Sequence, residues 1–251
     1  MVEIQIKERY KNIDIEGLYI KHSDSKELLI YLLPMNGLDE KKINPKKYAG
    51  YKLVKSLSKS ILIIEDFFNN RYGWYLKSGN RKIDSIILEY IETFYKNRNY
   101  SILSIYGSSK GGFAALNIGL QSYCINKIYA AIPIIDVRKY YKQMNNKDSE
   151  TYFKKYEDYI FSISKEVSNT KDIFIITGIN DWQYEEQNKL ISYLMLNQEY
   201  YNIYLYIDYN ILNHGEYVRK NSDIIKNVLS DKTKKSITVI HSQNKERGNI
   251  S

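Results

Sequence analysis

The sequence predicts an α/β fold, with a mostly parallel central sheet, helices on both faces and a small helical cap. Three observations carry that expectation. Short apolar runs alternate with amphipathic stretches from one end of the chain to the other, and such alternation folds into parallel strands joined by helical crossovers. Glu27 to Leu33 (ELLIYLL) is apolar on both of its faces, as a strand between two helical layers has to be. A chain of 251 residues with three prolines and no low-complexity linker suits one unit of this class.

The elements follow in order. Val2 to Ile6 and Leu18 to Lys21 read as early strands. Glu27 to Leu33 is the central strand, ended by Pro34-Met-Asn-Gly37. Lys46 to Ser58 reads as a helix and Ile61 to Ile64 as a short strand, followed by a polar loop carrying Arg71-Tyr-Gly-Trp-Tyr75. Lys82 to Tyr95 has helical spacing, with Ile83, Ile86, Ile87, Tyr90, Ile91 and Phe94 on one face. Ser101 to Tyr106 is the next strand, and the small apolar run Gly111 to Gln121 a helix packed tightly on the sheet. Lys127 to Ile132 is a strand stopped by Pro133. Asp136 to Val167, polar and rich in Tyr and Lys, is assigned to helices lying over the sheet edge as a cap or lid. Ile173 to Thr177 is a strand, Glu185 to Leu196 a helix, Asn202 to Ile207 the last strand and Glu216 to Leu229 the last helix. The domain is expected to span residues 1–230, leaving a basic tail at 231–251.

Composition excludes several classes. Hydrophobic residues at 43% and charged residues at 26% are ordinary for a globular chain and argue against global disorder. A single cysteine, Cys124, excludes an intramolecular disulfide and reads as a small buried hydrophobe. No Cys/His cluster has metal-ligand spacing, so no metal is expected. There is no charged-then-apolar start and no apolar run near the length of a membrane span, so the expected location is the cytoplasm, at most peripheral to the inner face of a membrane. The net charge of +8 comes from scattered lysines, densest in the tail, and no nucleic-acid module appears. The surplus would instead favour anionic substrates. The 26 tyrosines read as coding bias rather than an aromatic binding stripe.

Tyr106-Gly-Ser-Ser-Lys-Gly-Gly112 contains Gly107-x-Ser109-x-Gly111 between a strand and a small-residue helix. That is the context of a nucleophile elbow, in which a serine sits on a strained strand-to-helix turn at the sheet's carboxyl edge. Glycines two before and two after let strand and helix pass without Cβ clashes. Ser108 is in the wrong register and reads as structural. A serine needs a base to become nucleophilic. Of the three histidines, His214 follows the last strand by a short loop and opens a helix, where the base of such a fold belongs. His241, in the tail, and His22, before the central strands, are the weaker candidates. The acid is expected on the loop after Ile173 to Thr177, at Asp181, with Asp136 and Asp208 as rivals. Its carboxylate would hold the imidazole tautomer. One oxyanion-hole donor would be the Lys110 backbone N–H, and the second that of Met35 or Asn36, after the central strand. Asn36, Trp74 and Tyr75 are the candidate substrate-binding residues.

At these residues the chain resembles the α/β-hydrolase-type O-acetyltransferases of bacterial capsular polysaccharides. Gly107-Ser-Ser-Lys-Gly-Gly112, Gly178-x-Asn-Asp181 and Asn213-His214-Gly215 carry the resemblance. It is also similar to XcbB/CpsF-type capsule biosynthesis proteins and to the O-acetyltransferase of accessory secretion systems. The likeness spans about Glu27 to Leu229 and is concentrated at the elbow. It implies an α/β-hydrolase fold, Ser109, Asp181 and His214 as a triad, an acyl-serine intermediate, and acetyl-CoA as donor. Trp182 after Asp181, and a histidine loop without a second glycine, depart from the pattern. The leading expectation is an O-acyltransferase acting on a carbohydrate acceptor, with a capsule or secretion assembly as its setting. An esterase with the same triad is the alternative, and a non-catalytic scaffold the third reading.

Overall fold

Strand β1 (Val2–Tyr10) and strand β2 (Ile13–Lys21) form one hairpin, paired from Val2 opposite Lys21 to Tyr10 opposite Ile13. Lys11 and Asn12 make its turn with φ of 46° and 64°, the pair of positive angles that lets a two-residue loop follow strand twist. The sequence reading saw only the ends of these strands. Past Ile6, the residues Lys7 to Arg9 of β1 are exposed on both faces, so the pairing there is a backbone matter without a hydrophobic signature.

This computed structural model describes residues 1–35, 48–66, 73–78, 81–137, 139–140, 171–196, 201–208, 214–231 and 238–240. Most of the expected cap at 136–167, together with Asn36, Asn213 and His241, lies outside the described residues.

The remaining strands are β3 (Glu27–Leu32), β4 (Ser60–Ile64), β5 (Lys77–Ser78), β6 (Arg81–Lys82), β7 (Ile102–Ser108), β8 (Ile125–Ala131), β9 (Lys171–Gly178), β10 (Tyr201–Asp208) and β11 (Thr238–Ile240). The short pair β5 and β6 stands apart. The other nine form one sheet in the order β1-β2-β4-β3-β7-β8-β9-β10-β11. From β4 to β10 every neighbouring pair is parallel, and antiparallel partners close both edges. Strand β11 comes from the segment read as a basic tail and pairs with β10 through Ile203 to Leu205.

The described helices are α1 (Tyr51–Lys55), α2 (Asp84–Lys96), α3 (Lys110–Gln121), α4 (Tyr184–Leu196), α5 (Tyr217–Lys220) and α6 (Ser222–Leu229). The first is shorter than the 46–58 read from sequence: it starts only after Gly50, whose φ of 75° is left-handed. The expected last helix breaks at Asn221 (φ −110°, ψ 25°) into α5 and α6. No helix among the described residues is long and apolar enough to cross a membrane.

The unbroken apolar run of β3 is explained by two cores. Leu28, Ile30 and Leu32 join the layer beneath α2 and α3, whereas Leu29, Tyr31 and Leu33 join the layer with α1 and α6. Each fully buried side chain of this kind contributes about 1.5–3 kcal/mol. In the second layer, Tyr31, Tyr106, Tyr129, Phe174 and Tyr204 sit directly opposite one another across five strands. Their rings stack at 5.1 Å (Tyr31 and Tyr106), 4.7 Å (Tyr129 and Phe174) and 4.5 Å (Phe174 and Tyr204). Part of the tyrosine excess is thus a cross-strand ladder, the sheet's own stabilising unit.

Candidate active site

Strand β7 runs directly into α3 through Ser109, at φ 54° and ψ −118°. A β-carbon on Gly107 would lie 2.0 Å from the Gly111 carbonyl oxygen, and one on Gly111 would lie 2.1 Å from that of Leu32. Only glycine fits either position, so both glycines are required by the turn itself. The Ser109 backbone is held by the end of β8 and by Ile134 beyond it: its N–H donates to Ala131 O at 2.9 Å, and its carbonyl accepts from Ile134 N at 3.3 Å and, within α3, from Phe113 N at 3.1 Å. Strained backbone of this kind persists only where the surroundings over-determine it.

Asp181 lies in the turn between β9 and α4. Its Oδ1 accepts the Gln183 backbone N–H at 2.8 Å, and its own N–H donates to Gly178 O at 2.9 Å. Oδ2 is left facing His214 Nδ1 at 2.6 Å. His214, in a 3-10 turn (His214–Glu216) ahead of α5, places Nε2 3.0 Å from Ser109 Oγ. The Asp181 side chain is fully buried and that of His214 nearly so. With Nδ1 protonated and donating to the carboxylate, Nε2 presents its lone pair to the serine hydroxyl. This is the arrangement a base-activated serine needs.

Asp136 Oδ1 accepts the Lys139 backbone N–H at 2.8 Å, a local cap of the chain after Pro133. Asp208 ends β10 opposite Gly178, and the carboxylate that meets His214 Nδ1 is that of Asp181. His22 follows β2, where its carbonyl accepts from Ser60 Oγ at the amino end of the parallel strands, the wrong edge of the sheet.

A cavity of about 560 Å³ opens above Ser109 and His214. Tyr31, Pro34 and Met35 from the end of β3, and Leu53, Ile132 and Val218, give it a largely apolar wall. Met35 therefore sits at the cavity, beside the elbow that carries the Lys110 N–H at the start of α3.

Trp74 and Tyr75 correct the sequence reading. Neither lines this cavity, and both are 0% exposed. Both adopt left-handed backbone (φ 54° and 59°). The Tyr75 hydroxyl donates to Ile64 O at 2.9 Å and accepts from Leu33 N at 2.7 Å. It thereby ties the end of β4 to the end of β3, just ahead of Met35. Trp74 packs edge-on against Phe113 at 5.7 Å. Their aromatic bulk goes into supporting the site rather than lining it.

The supporting roles of four side chains, Lys110, Asp66, Gln183 and Trp182, escaped the sequence reading. Lys110 Nζ donates to Asp66 Oδ2 at 2.6 Å, with the two side chains 2% and 1% exposed. Burial pushes the Asp66 carboxyl up, while the Lys110 ammonium pulls it the other way. Gln183 Oε1 accepts from Ile135 N and Asp136 N at 2.9 and 2.8 Å, locking the acid turn to the chain after β8. The indole of Trp182 lies 5.6 Å from the His214 ring. No local pattern flags a partner 44 residues away, as for Lys110 and Asp66. The departure at Trp182 from the motif was the one available hint.

No protein-family model matches the sequence, and no curated protein sequence matches it. Solved structures do. The esterase Pf2001 of Pyrococcus furiosus is 15% identical with a TM-score of 0.64, covering 92% of this chain and 91% of that one. S-formylglutathione hydrolase (FrmB) of Staphylococcus aureus is 12% identical with a TM-score of 0.59, covering 89% and 94%. Prolyl oligopeptidase B of Galerina marginata is 13% identical with a TM-score of 0.62, covering 91% of this chain and 36% of that one. Likeness at such identities is likeness of fold, and the fold is that of the α/β-hydrolases.

Proposed function

We propose that this chain is a serine carboxylesterase working through an acyl-serine intermediate. The observation that carries the reading is the continuous hydrogen-bonded chain from Asp181 through His214 to Ser109, on a strained turn at the floor of a largely apolar cavity. Ser109 Oγ attacks the ester carbonyl carbon as its proton passes to His214 Nε2. The tetrahedral oxyanion is received by the Lys110 and Met35 backbone N–H groups. The alcohol leaves with the proton from His214, and water, deprotonated by the same nitrogen, then releases the acid from Ser109. Asp181 fixes the tautomer and stabilises the imidazolium that forms in each half. The similarity to two hydrolases of nearly the same length, an esterase and an S-formylglutathione hydrolase by name, supports water as the final acceptor.

A second reading rests on the elbow Gly107-Ser-Ser-Lys-Gly-Gly112, which resembles that of the capsule O-acetyltransferases. In it the acetyl group of acetyl-CoA passes through Ser109 to a carbohydrate hydroxyl, within a capsule or secretion assembly. One experiment separates the two. Purified protein and Ser109→Ala are given p-nitrophenyl acetate, and in parallel acetyl-CoA with intact-mass detection. Turnover of the ester by wild type alone, with no acetyl-CoA consumption, is the expected result. An adduct of about 42 Da from acetyl-CoA, passed on to a glycan, moves the assignment to the transferase. Full ester turnover by folded Ser109→Ala would refute the mechanism in both forms.

A further inference from the structure

The cavity over Ser109 is apolar on most of its wall, with a few polar side chains among the lining residues. Lys52, in α1, lines it. Several lysines elsewhere are matched to carboxylates: Lys55 to Glu3 at 2.6 Å, Lys59 to Glu27 at 2.8 Å, Lys127 to Asp231 at 2.8 Å. Among the described residues no carboxylate lies within 4.0 Å of Lys52 Nζ, although Lys55 one turn further on has its partner. Lys52 is the one lysine, arginine or carboxylate side chain on the cavity wall among the described residues.

Two hydroxyls belong to the same wall. Tyr31 donates to Ala49 O at 2.7 Å, three residues before Lys52, and both Tyr31 and Ala49 line the cavity. Ser108, which also lines it, is 1% exposed, and its Oγ sits between the Tyr31 and Tyr106 hydroxyls. Few polar groups converging in an apolar concavity are what orients a ligand.

We infer that Lys52, on the wall of the cavity that holds Ser109, selects substrates that carry an anionic group, a carboxylate or phosphate, in addition to the scissile ester. The inference rests on the esterase reading for its chemistry but not for its binding site. Lys52 supplies a compact charge on a flexible stem, which suits either anion. Lys52 is a specificity residue and takes no part in the bond-making steps.

The test compares kcat/KM for three esters: neutral p-nitrophenyl butyrate, p-nitrophenyl hydrogen succinate with its carboxylate on the acyl side, and 4-acetoxybenzoate with its carboxylate on the alcohol side. The readout is the ratio of each anionic ester to the neutral one, which a lower active fraction does not move. Wild type is expected to favour one anionic ester, and which one tells the side on which the anion sits. Lys52→Gln should lower that ratio about tenfold, and Lys52→Glu should lower it further. Equal ratios in wild type and both variants, or a wild-type preference for the neutral ester, would overturn the inference. A second measurement stands free of turnover: calorimetric binding of 4-acetamidobenzoate, the uncleavable amide, to wild type, Lys52→Gln and Ser109→Ala. Binding lost only in Lys52→Gln supports the anion site even if no ester is cleaved, in which case the esterase reading alone fails. No binding to wild type, with no anionic preference in the ester series, rejects the site.

Discussion

Ser109, His214 and Asp181 were legible in the sequence because each is set by a local rule: the elbow glycines, the loop after the last strand, and the turn after the strand before it. The structure places them within 3.0 Å of one another along the chain of hydrogen bonds. Asp136 passed a similar local rule, and geometry separates the two, since its carboxylate caps Lys139. Asp181→Asn should therefore lower kcat on p-nitrophenyl acetate by about 10³–10⁴-fold, because an amide can hold the wrong imidazole tautomer. Asp136→Asn, which still caps, should stay within about twofold of wild type in the same assay. Illegible at this scale were partners joined only by the fold. Lys110 and Asp66 form a buried ion pair whose energetic sense follows from desolvation. Removing one member strands a charge at about 3–5 kcal/mol, whereas replacing both by apolar groups is nearly neutral. Lys110→Met should lower the thermal midpoint by about 10 °C, and Lys110→Met with Asp66→Leu should recover most of it. Equal losses in the single and double variants would show that the pair itself stabilises the fold.

At the scale of elements, the parallel strands were the easiest to read, since burial on both faces writes a continuous apolar run. Elements held by backbone pairing or by one unusual dihedral were harder. The second half of β1 is polar and exposed, and α1 is shortened by Gly50. Trp74 and Tyr75 look like pocket residues in a polar loop, yet their left-handed backbone turns both rings into the core. The elbow joins β7 to α3 at a cost that can be measured. A non-glycine residue held at φ 54°, ψ −118° stores about 1–3 kcal/mol. Glycine adopts that region readily, offset in part by the greater entropy of its unfolded chain. Ser109→Gly should thus melt about 2–4 °C above Ser109→Ala, with both inactive. If the alanine variant melts at the same temperature or higher, the turn is not strained and its geometry needs another cause.

For the molecule as a whole, strand–helix alternation led to the sheet, but not to its edges. The outer strand of the antiparallel hairpin, β1, leaves a weak signal because it is exposed along most of its length. Nor did composition reveal the ladder of stacked rings across five strands, since cross-strand neighbours are remote in sequence. One long-range contact has a global readout. Lys171 opens β9 fully buried, and its Nζ donates to the carbonyls of Ser122 and Ile125 (2.9 Å to the latter), stapling the end of α3 and the start of β8 to the next strand. Burial pulls its pKa down from 10.5 to about 8. The folded protein then releases this proton near pH 8, while the unfolded chain keeps it to about pH 10.5. Between those values the unfolded state holds more protons, so the residue's contribution to stability rises with pH. Below pH 8 both states are protonated and the folded one carries a buried charge. Lys171→Met removes the staple at every pH, together with that pH dependence. The thermal midpoint of wild type minus that of Lys171→Met should accordingly increase from about pH 8 to about pH 10, while other groups titrate alike in both proteins. A difference that stays flat or falls across this window would mean that the buried ammonium is as well solvated by its two carbonyls as by water.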